Sequence, residues 1–380
     1  MTMTSDLAVL VGRFQPFHDA HLALLARALA IAPRCVVVVG SAFQARTPKN
    51  PFTWTERAEM IRHALPEADR ARITIVPMRD YYDETRWVAS VREAVAGSVA
   101  DEASPRIALV GHFKDATSGY LAAFPGWTLD SVERLPGADG TQLRDALFAA
   151  LPEDKHAPIA LDAALAAFVD QAPASTIAFL RAWTALPFFA ELAVEWRMLK
   201  RYKEAWRTAP YAPTFVTVDA VLQCAGQILL IRRGKAPGRG LYAVPGGFIE
   251  ARETTWQSCL RELDEETHLK LLEETMRRSL RSVAVFDHPD RSQRGAARSR
   301  MRITSTWATA NRPRCARTTT RPPWNGCRST GSRRWKTGSS TTTSTCSTTS
   351  WASRTLEVRR AATTAGEIAA AIVKGFARGR

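Results

Sequence analysis

Two histidines near the N-terminus have a spacing that could bring two imidazoles onto one phosphate group. His18 and His21 are three residues apart in the stretch Val11-Gly12-Arg13-Phe14-Gln15-Pro16-Phe17-His18-Asp19-Ala20-His21. On the first turn of a helix both would face the same way, beside free N–H groups and the positive end of the helix dipole. Gly12 permits close approach of the backbone, and Arg13 can bind a phosphate through two hydrogen bonds. The stretch therefore predicts phosphate chemistry that relies on charge neutralisation.

A cluster of carboxylates lies in the second half of the chain. Three glutamates follow one another at i, i+3 and i+4, so they share one helix face. Carboxylates this close repel one another unless hard cations such as Mg²⁺ lie among them, and Mn²⁺ suits the same oxygen ligands. The three predicted metal ligands are Glu262, Glu265 and Glu266. Arg261 can orient a neighbouring carboxylate, and Gly246 and Gly247 would form a loop that lets phosphates approach.

Alternating apolar runs and helical patterns predict the elements that position these residues. A parallel α/β sheet is expected first, and its ligands should bind beyond the carboxyl ends of the strands. Its strands are expected at Leu7–Val11, Cys35–Val39, Ile73–Pro77, Ile107–Val110 and Trp127–Leu129, and helices at His21–Ile31 and Thr55–Ala64. A second unit is expected with a hairpin at Phe215–Val221 and Gln227–Ile231, strands at Tyr242–Val244 and Ser282–Pro289, and a helix at Thr254–Thr267.

The histidine stretch resembles the nucleotidyltransferases that carry an HxGH motif, with Ala20 in place of glycine. Within that superfamily it is similar to the nicotinamide-nucleotide adenylyltransferases. The segments Arg46–Thr53, Gly111–Asp115 and Gly140–Arg144 resemble the same family. The resemblance implies catalytic roles for His18, His21, Arg13 and Arg144. It implies ATP and mononucleotide binding by Gly12, Phe14, Asn50, Trp87, Lys114, Asp115 and Thr141.

Two of these residues have an ordinary structural alternative. Trp87 would stack on the cationic nicotinamide ring, with a core tryptophan as the alternative. Thr141 would meet the ATP phosphates, but it could also be a plain N-cap. The implied reaction is attack by the 5′-phosphate of nicotinamide mononucleotide (NMN) on the α-phosphorus of ATP, with Mg²⁺ present and pyrophosphate leaving. Because the attacking oxygen is already anionic, no general base is required.

The carboxylate cluster resembles the Nudix hydrolases. The chain matches G-x5-E-x7-R-E-U-x-E-E-x-G-U from Gly247 to Leu269, except that His268 replaces the last glycine. The resemblance implies a catalytic set of Glu253, Arg261, Glu262, Glu265 and Glu266. The domain order resembles bifunctional NMN adenylyltransferase/Nudix hydrolases. This implies an α/β class, with a Rossmann-like parallel-sheet domain followed by a Nudix α/β/α sandwich. The implied second substrate is ADP-ribose, hydrolysed to AMP and ribose 5-phosphate.

The region after residue 294 has an unusual composition. Residues 291–356 hold 14 Arg and Lys and no Asp or Glu, which leaves 38 basic against 37 acidic residues elsewhere. Between Met301 and Ser350, 22 of 50 residues are Ser or Thr. A low-complexity basic tail is one interpretation. We favour a shifted reading frame, because residues 340–351 can be reread as Phe-Asp-Asp-His-Phe-His-Leu-Phe-Asp-His-Phe-Leu, which resembles the closing helix of a Nudix domain.

The domain organisation follows from these patterns. We expect a nucleotidyltransferase domain at 1–170, a helical linker at 171–210 and the N-terminal part of a Nudix domain at 211–294. Residues 295–356 would be frameshifted or disordered, so the sandwich would be incomplete and the hydrolase impaired, and 357–380 have no assigned role. Without an apolar run of about 18 residues or a signal-peptide pattern, we expect a cytoplasmic protein without a membrane partner. The oligomeric state is left open.

Two other functions stay open at this point. Another HxGH transferase would act on pantetheine phosphate or a cytidylyl acceptor, and pyrophosphate release across acceptors would separate it. A nucleic-acid-binding regulator would use the basic tail, which carries almost all of the net charge of +15. The rest of the chain is nearly neutral, which argues against this alternative. No nucleic-acid partner is expected, because the tail lacks regularly spaced aromatic stacking platforms. A salt-dependent DNA-binding measurement on the chain truncated after Pro289 would separate this alternative.

Overall fold

The protein is described from a computed structural model in which two compact units, Met1–Arg197 and Met198–Arg380, are distinguished. The described residues are 4–98, 105–112, 122–133, 139–153, 160–211, 213–224, 227–269 and 272–287, with the backbone of 298–307 and 325–328. Most of the predicted segments 295–356 and 357–380, together with Lys114 and Asp115, therefore lie outside the described residues.

The first unit is built on a parallel sheet. Its described strands are β1 (Leu7–Gly12), β2 (Cys35–Val39), β3 (Ile73–Pro77), β4 (Ile107–Gly111) and β5 (Thr128–Ser131). They lie in the order β3-β2-β1-β4-β5, and every neighbouring pair is parallel. The winding direction reverses between β1 and β4, which is where such sheets bind ligands. The predicted Rossmann-like sheet is confirmed.

Helices cover both faces of this sheet. They are α1 (Asp19–Ile31), α2 (Trp54–His63), α3 (Glu67–Arg70), α4 (Glu84–Gly97), α5 (Gly140–Ala149), α6 (Leu161–Ala166), α7 (Ala174–Trp183) and α8 (Pro187–Ala205). Alternate β1 residues point to opposite faces. Ala8 and Leu10 pack in the core that contains α1 and α2, whereas Leu7 and Val9 pack with α4. Each fully buried large apolar side chain contributes about 1.5–3 kcal/mol to folding. Burial on both faces therefore holds the sheet rigid, including the carboxyl ends of its strands, where the site lies.

The segment predicted as a helical linker is part of the first core. Leu180, Trp183, Phe189 and Leu192 of α7 and α8 are buried in the same cluster as α1. The compact first unit accordingly continues to Arg197 rather than ending at residue 170. A helical pattern alone does not show that these apolar residues have a partner surface in the first core. Among the described residues no single helix is long and apolar enough to cross a membrane, and α7 and α8 pass only as a pair bent by 93°.

The second unit is a mixed sheet with a helix packed on it. Its elements are β6 (Phe215–Cys224), β7 (Gln227–Arg232), β8 (Tyr242–Ala243), β9 (Gly246–Phe248), α9 (Thr255–Thr267), α10 (Glu273–Arg278), β10 (Leu280–Phe286), β11 (Arg298–Trp307) and β12 (Asn325–Arg328). The described order is β10-β11-β6-β7-β12, with β8 on β7 and β9 on β6. The predicted hairpin is present, because β6 and β7 pair antiparallel at Gln223 and Ile228. Cys259 and Leu263 of α9 pack on Val218 and Leu222 of β6.

Two strands, β11 and β12, are described beyond residue 294, in the part of the sandwich that was expected to be incomplete. β11 lies between β10 and β6, and all ten of its residues pair in parallel with β6. Ile303, Thr304, Thr306 and Trp307 are residue types favoured in strands. The composition of the longer Ser/Thr-rich region concealed this short strand-forming segment.

The end of α9 gives a stability prediction. His268 caps the helix in the left-handed conformation, at φ 52° and ψ 32°, and its N–H donates to the Asp264 carbonyl at 2.7 Å. This conformation costs a residue with a Cβ roughly 1–2 kcal/mol, part of which glycine loses again as chain entropy. We expect His268→Gly to raise the free energy of unfolding of the second unit by about 0.5–1 kcal/mol in urea denaturation.

The matched control is His268→Ala, which removes the imidazole but keeps the Cβ. It should bring no gain, because the left-handed backbone remains unfavourable. A glycine variant no more stable than the alanine variant would contradict the prediction.

Candidate active sites

The loop between β1 and α1 is held tightly beneath the predicted phosphate site. Gly12 has no room for a side chain, because an added Cβ would lie 2.7 Å from the Phe14 ring. Phe14 is in the left-handed region at φ 50° and is only 1% exposed. Its ring packs edge-on against His21, with centroids 4.9 Å apart. The side chain predicted to bind nucleotide at position 14 therefore lies beneath a histidine as packing.

The two predicted histidines come together at the start of α1. Their ring centroids are 3.8 Å apart and the rings are tilted by 30°. The backbone N–H of His18, the N-cap, donates to Nδ1 of His21 at 3.4 Å. Burial, followed by the charges of His18 and His112, holds the pKa of His21 well below its usual value. His21 is therefore neutral at neutral pH, and an accepting Nδ1 leaves the proton on Nε2 as a donor.

The first turn of α5 contacts the same loop from the other side. Asp139 caps this helix by accepting from the N–H of Thr141 at 2.6 Å. Arg144 donates to the Gln15 carbonyl and, at 3.2 Å, to the Thr141 hydroxyl. Burial and the neighbouring charge of Arg13 lower the pKa of Arg144 to about 10, so it stays positive at neutral pH. The structure thus brings the predicted guanidiniums and imidazoles to one end of the sheet.

The loop after β2 is fastened to the histidine loop. Gln15 donates to the Phe52 carbonyl at 2.9 Å and accepts from the Phe52 N–H at 3.0 Å. Asn50 is folded against Thr47, whose carbonyl and hydroxyl both accept from the Asn50 N–H. Asp80 accepts from the N–H and hydroxyl of Ser41. The sequence analysis missed Gln15 and Asp80, because both act by holding neighbouring backbone. Gln15 nevertheless lies within the histidine stretch from Val11 to His21.

The remaining residues predicted for this site lie on α4 or in the segment after β4. Trp87 lies on α4 and packs edge-on against Phe124, with ring centroids 5.8 Å apart, so its stacking on nicotinamide stays a prediction. His112, immediately after β4, is a third imidazole whose charge acts on His21. Sequence reasoning quoted its segment without assigning it a role. Residues 114 and 115 of that segment lie outside the described residues.

In the second unit, Arg261 is the centre of the carboxylate cluster. Its Nε donates to Glu253 at 2.9 Å, and its Nη1 donates to Glu262 at 2.9 Å and to Glu265 at 3.4 Å. Hydrogen bonds from Arg261 and Ser258 lower the pKa of Glu253. Hydrogen bonds to Glu253 and Glu262 raise the pKa of Arg261. The predicted orienting role of Arg261 agrees with this geometry.

The two glycines lie where carboxylates approach the backbone closely. Glu266 accepts from the Gly246 N–H at 2.9 Å. A Cβ at Gly246 would lie 2.2 Å from the Val218 carbonyl oxygen, and one at Gly247 would lie 2.3 Å from the Glu262 carboxylate. Only glycine fits at Gly246, where the clash is with backbone, whereas a side chain at Gly247 would displace the Glu262 carboxylate. Glu262 and Glu266 therefore converge on this turn from neighbouring turns of α9.

The donor set of this cluster suits a divalent cation. Carboxylate oxygens on one helix face are the ligands that Mg²⁺ and Mn²⁺ prefer. Among the described residues, however, no group of three His, Cys, Asp or Glu side chains is arranged to hold a metal ion. Nη1 of Arg261 lies between Glu262 and Glu265 instead. A cation would compete with this one nitrogen, while Nε could keep its contact with Glu253.

Comparisons with known proteins agree with both sites. Residues 9–112 match a family described as cytidylyltransferase-like, and residues 213–318 match the NUDIX domain. A nicotinamide/nicotinic acid mononucleotide adenylyltransferase of Acinetobacter baylyi is 39% identical over 144 residues, 38% of this chain and 76% of the relative. The crystal structure of a bifunctional NMN adenylyltransferase/ADP ribose pyrophosphatase from Francisella tularensis, complexed with AMP and a Mn ion, is 30% identical with a TM-score of 0.74. The match covers 85% of this chain and 92% of that chain. This chain belongs to the bifunctional NMN adenylyltransferase/ADP-ribose pyrophosphatase family.

Membership of the bifunctional NMN adenylyltransferase/ADP-ribose pyrophosphatase family confirms the family predicted from the two motifs. A further relative is an ADP-ribose pyrophosphatase of Methanocaldococcus jannaschii, 33% identical over 107 residues. That match covers 28% of this chain and 56% of the relative. The two motifs thus lie in an enzyme of the nucleotidyltransferase and Nudix hydrolase classes.

Proposed function

We propose that the first unit transfers AMP from ATP to NMN, giving NAD and pyrophosphate. The observation that carries this proposal is the convergence of His18, His21 and Arg144 around the loop between β1 and α1. The A. baylyi relative supports the choice of acceptor. The 5′-phosphate oxygen of NMN forms a bond to the α-phosphorus of ATP. The bond between the α-phosphorus and the oxygen that bridges the α- and β-phosphates breaks. Pyrophosphate leaves with the electron pair of that bond.

The side chains contribute by positioning and charge. The N-terminus of α1 offers backbone N–H groups to the phosphates. Nε2–H of His21 donates to a phosphate oxygen as negative charge builds, and His18 lies within the same stack. Arg13 and Arg144 neutralise the polyphosphate from the other side, and Mg²⁺ accompanies ATP. Because binding fixes both phosphates in line, no residue acts as a nucleophile.

We infer that the second unit hydrolyses ADP-ribose or a related nucleoside diphosphate. Water adds to one phosphorus, and the P–O–P bridge breaks to give AMP and ribose 5-phosphate. Glu262, Glu265 and Glu266 would hold Mg²⁺ or Mn²⁺, and the bound cation neutralises pyrophosphate charge. Arg261 keeps Glu253 in place, and Gly246 and Gly247 leave room for the phosphates. Cytoplasmic location stays a prediction.

The decisive experiment measures products by mass. The purified chain is incubated with ATP and Mg²⁺ together with NMN, nicotinic acid mononucleotide or pantetheine phosphate, and with CTP and a cytidylyl acceptor. We expect pyrophosphate release with a mononucleotide acceptor and accumulation of NAD with NMN. Turnover of pantetheine phosphate or of the cytidylyl acceptor, without NAD formation, would exclude the proposed reaction.

A further inference from the structure

A buried arginine outside the predicted catalytic set connects the segments that follow β1 and β2 of the first sheet. Arg57 of α2 is only 1% exposed. Its Nη1 donates to the carbonyls of Arg13 and Gly40, each at 2.6 Å. Its Nη2 donates to the Ser41 carbonyl at 3.3 Å, and its Nε donates to the Thr53 carbonyl at 3.2 Å. A charged group that gives up water needs such partners, and here all four are backbone oxygens.

These carbonyls belong to the chain segments that carry the phosphate site. Gly12 ends β1 and Gly40 follows β2, and the Gly40 N–H donates to the Gly12 carbonyl at 2.9 Å. Phe14 and Ser41, just beyond, are both left-handed, at φ 50° and 48°. Residues with a Cβ persist in that conformation only where their surroundings hold them. The guanidinium of Arg57 lies on the backbone of both segments at this point.

We propose that Arg57 is a positioning residue of the transferase, which fixes the backbone at Arg13 and Gly40 so that the Arg13 side chain and the α1 N-terminus meet the ATP phosphates. The proposal rests on the proposed transferase function. Arg57 does not touch substrate. It acts through Arg13, whose carbonyl it holds and whose side chain is exposed at the site.

Lysine cannot replace this function. Burial lowers the pKa of Arg57 to about 10, partly offset by Asp80 and Glu56, so the group stays charged at neutral pH. A lysine has a single compact ammonium, which cannot reach four separated carbonyls as a planar guanidinium does. Arg57→Lys therefore alters the position of the loop.

The test compares Arg57→Lys with Arg62→Lys, an exposed arginine of the same helix. The Mg·ATP dissociation constant is measured by calorimetry without acceptor, and kcat is measured for NAD formation below the melting temperature of each protein. We expect Arg57→Lys to weaken ATP binding about tenfold and to lower kcat by about ten- to hundredfold, as small displacements of catalytic groups do. Arg62→Lys should stay within about twofold of wild type. Any nucleotide binding by the second unit is the same in all variants, so it does not affect the comparison of their dissociation constants.

A double-mutant cycle separates positioning from general stability. If Arg57 acts through Arg13, Arg57→Lys should cost less than about threefold in ATP affinity once Arg13→Ala is present. Undiminished effects in that background, or wild-type ATP binding by Arg57→Lys, would overturn the proposal. Arg57→Gln, which buries no charge, serves if the lysine variant does not fold. Absence of NAD from the wild-type enzyme would refute the acceptor, and the ATP measurements would still decide the role of Arg57.

Discussion

Replacing both His18 and His21 with alanine should slow NAD synthesis by about a thousandfold or more. The stacked rings lie at the α1 N-terminus, where charge develops on the transferring phosphate. Loss of a single preorganised donor of this kind typically costs about 10²–10³ in kcat. The initial rate of NAD formation at saturating ATP and NMN measures the effect. The single variants should each lose part of it.

His63→Ala is the control for this experiment. His63 lies at the exposed end of α2, away from the loop between β1 and α1. It should synthesise NAD at the wild-type rate. The melting temperature of the first unit is compared in all variants, so that loss of fold is not mistaken for loss of chemistry. Full-speed synthesis by the doubly substituted protein would remove the basis of the proposed mechanism.

The residues that touch phosphate could be predicted from the sequence because their types and spacing are local. His18 and His21 share one helix turn, and Glu262, Glu265 and Glu266 share one helix face, so periodicity alone brings each group together. The distant partner Arg144 was found only through its resemblance to a family motif. Its contact with the Gln15 carbonyl spans 129 residues, and no local pattern encodes such a contact.

The residues that hold the loops were harder to predict. Gln15, Arg57 and Asp80 act by hydrogen bonds to backbone atoms, whose positions appear only in the folded chain. The sequence does not distinguish a buried arginine from an exposed one. Arg57 is buried, whereas Arg62 and His63 of the same helix are exposed. Phe14 is a motif residue whose ring packs against His21, so its contact with nucleotide stays a prediction.

For the fold, periodicity located the first sheet well and the end of the second sheet poorly. The strands β1, β2 and β4 of the first unit are nearly continuous apolar runs, as buried parallel strands are. β11 follows a change of composition, and its pairing with β6 depends on a partner more than eighty residues earlier in the chain. Segment composition alone could not show that pairing.

Restoring the reading frame after residue 294 is expected to raise ADP-ribose hydrolysis by at least about a hundredfold. Val283 and Val285 of β10, the edge strand of the described sheet, are 47% and 58% exposed, although an alternating apolar face of a sheet normally packs against a covering layer. The NUDIX match ends at residue 318, well before the end of the chain. The reread string at 340–351 is rich in Phe and Leu and would supply an amphipathic covering helix. We propose that its absence leaves the glutamates of α9 imprecisely placed, which costs about 10² in rate for a displacement of about 1 Å.

The two chains carry their own internal control, because the first unit has the same sequence in both. NAD synthesis should therefore proceed at equal rates, whereas release of AMP from ADP-ribose should differ. Glu262→Gln in the frame-restored chain should abolish the gain, which ties hydrolysis to the carboxylate cluster rather than to a contaminant. The nucleotide sequence of the gene tests the rereading directly. Equal hydrolysis by both chains would mean that β11 and β12 already complete the sheet sufficiently, and that the residues after them contribute nothing to the second site.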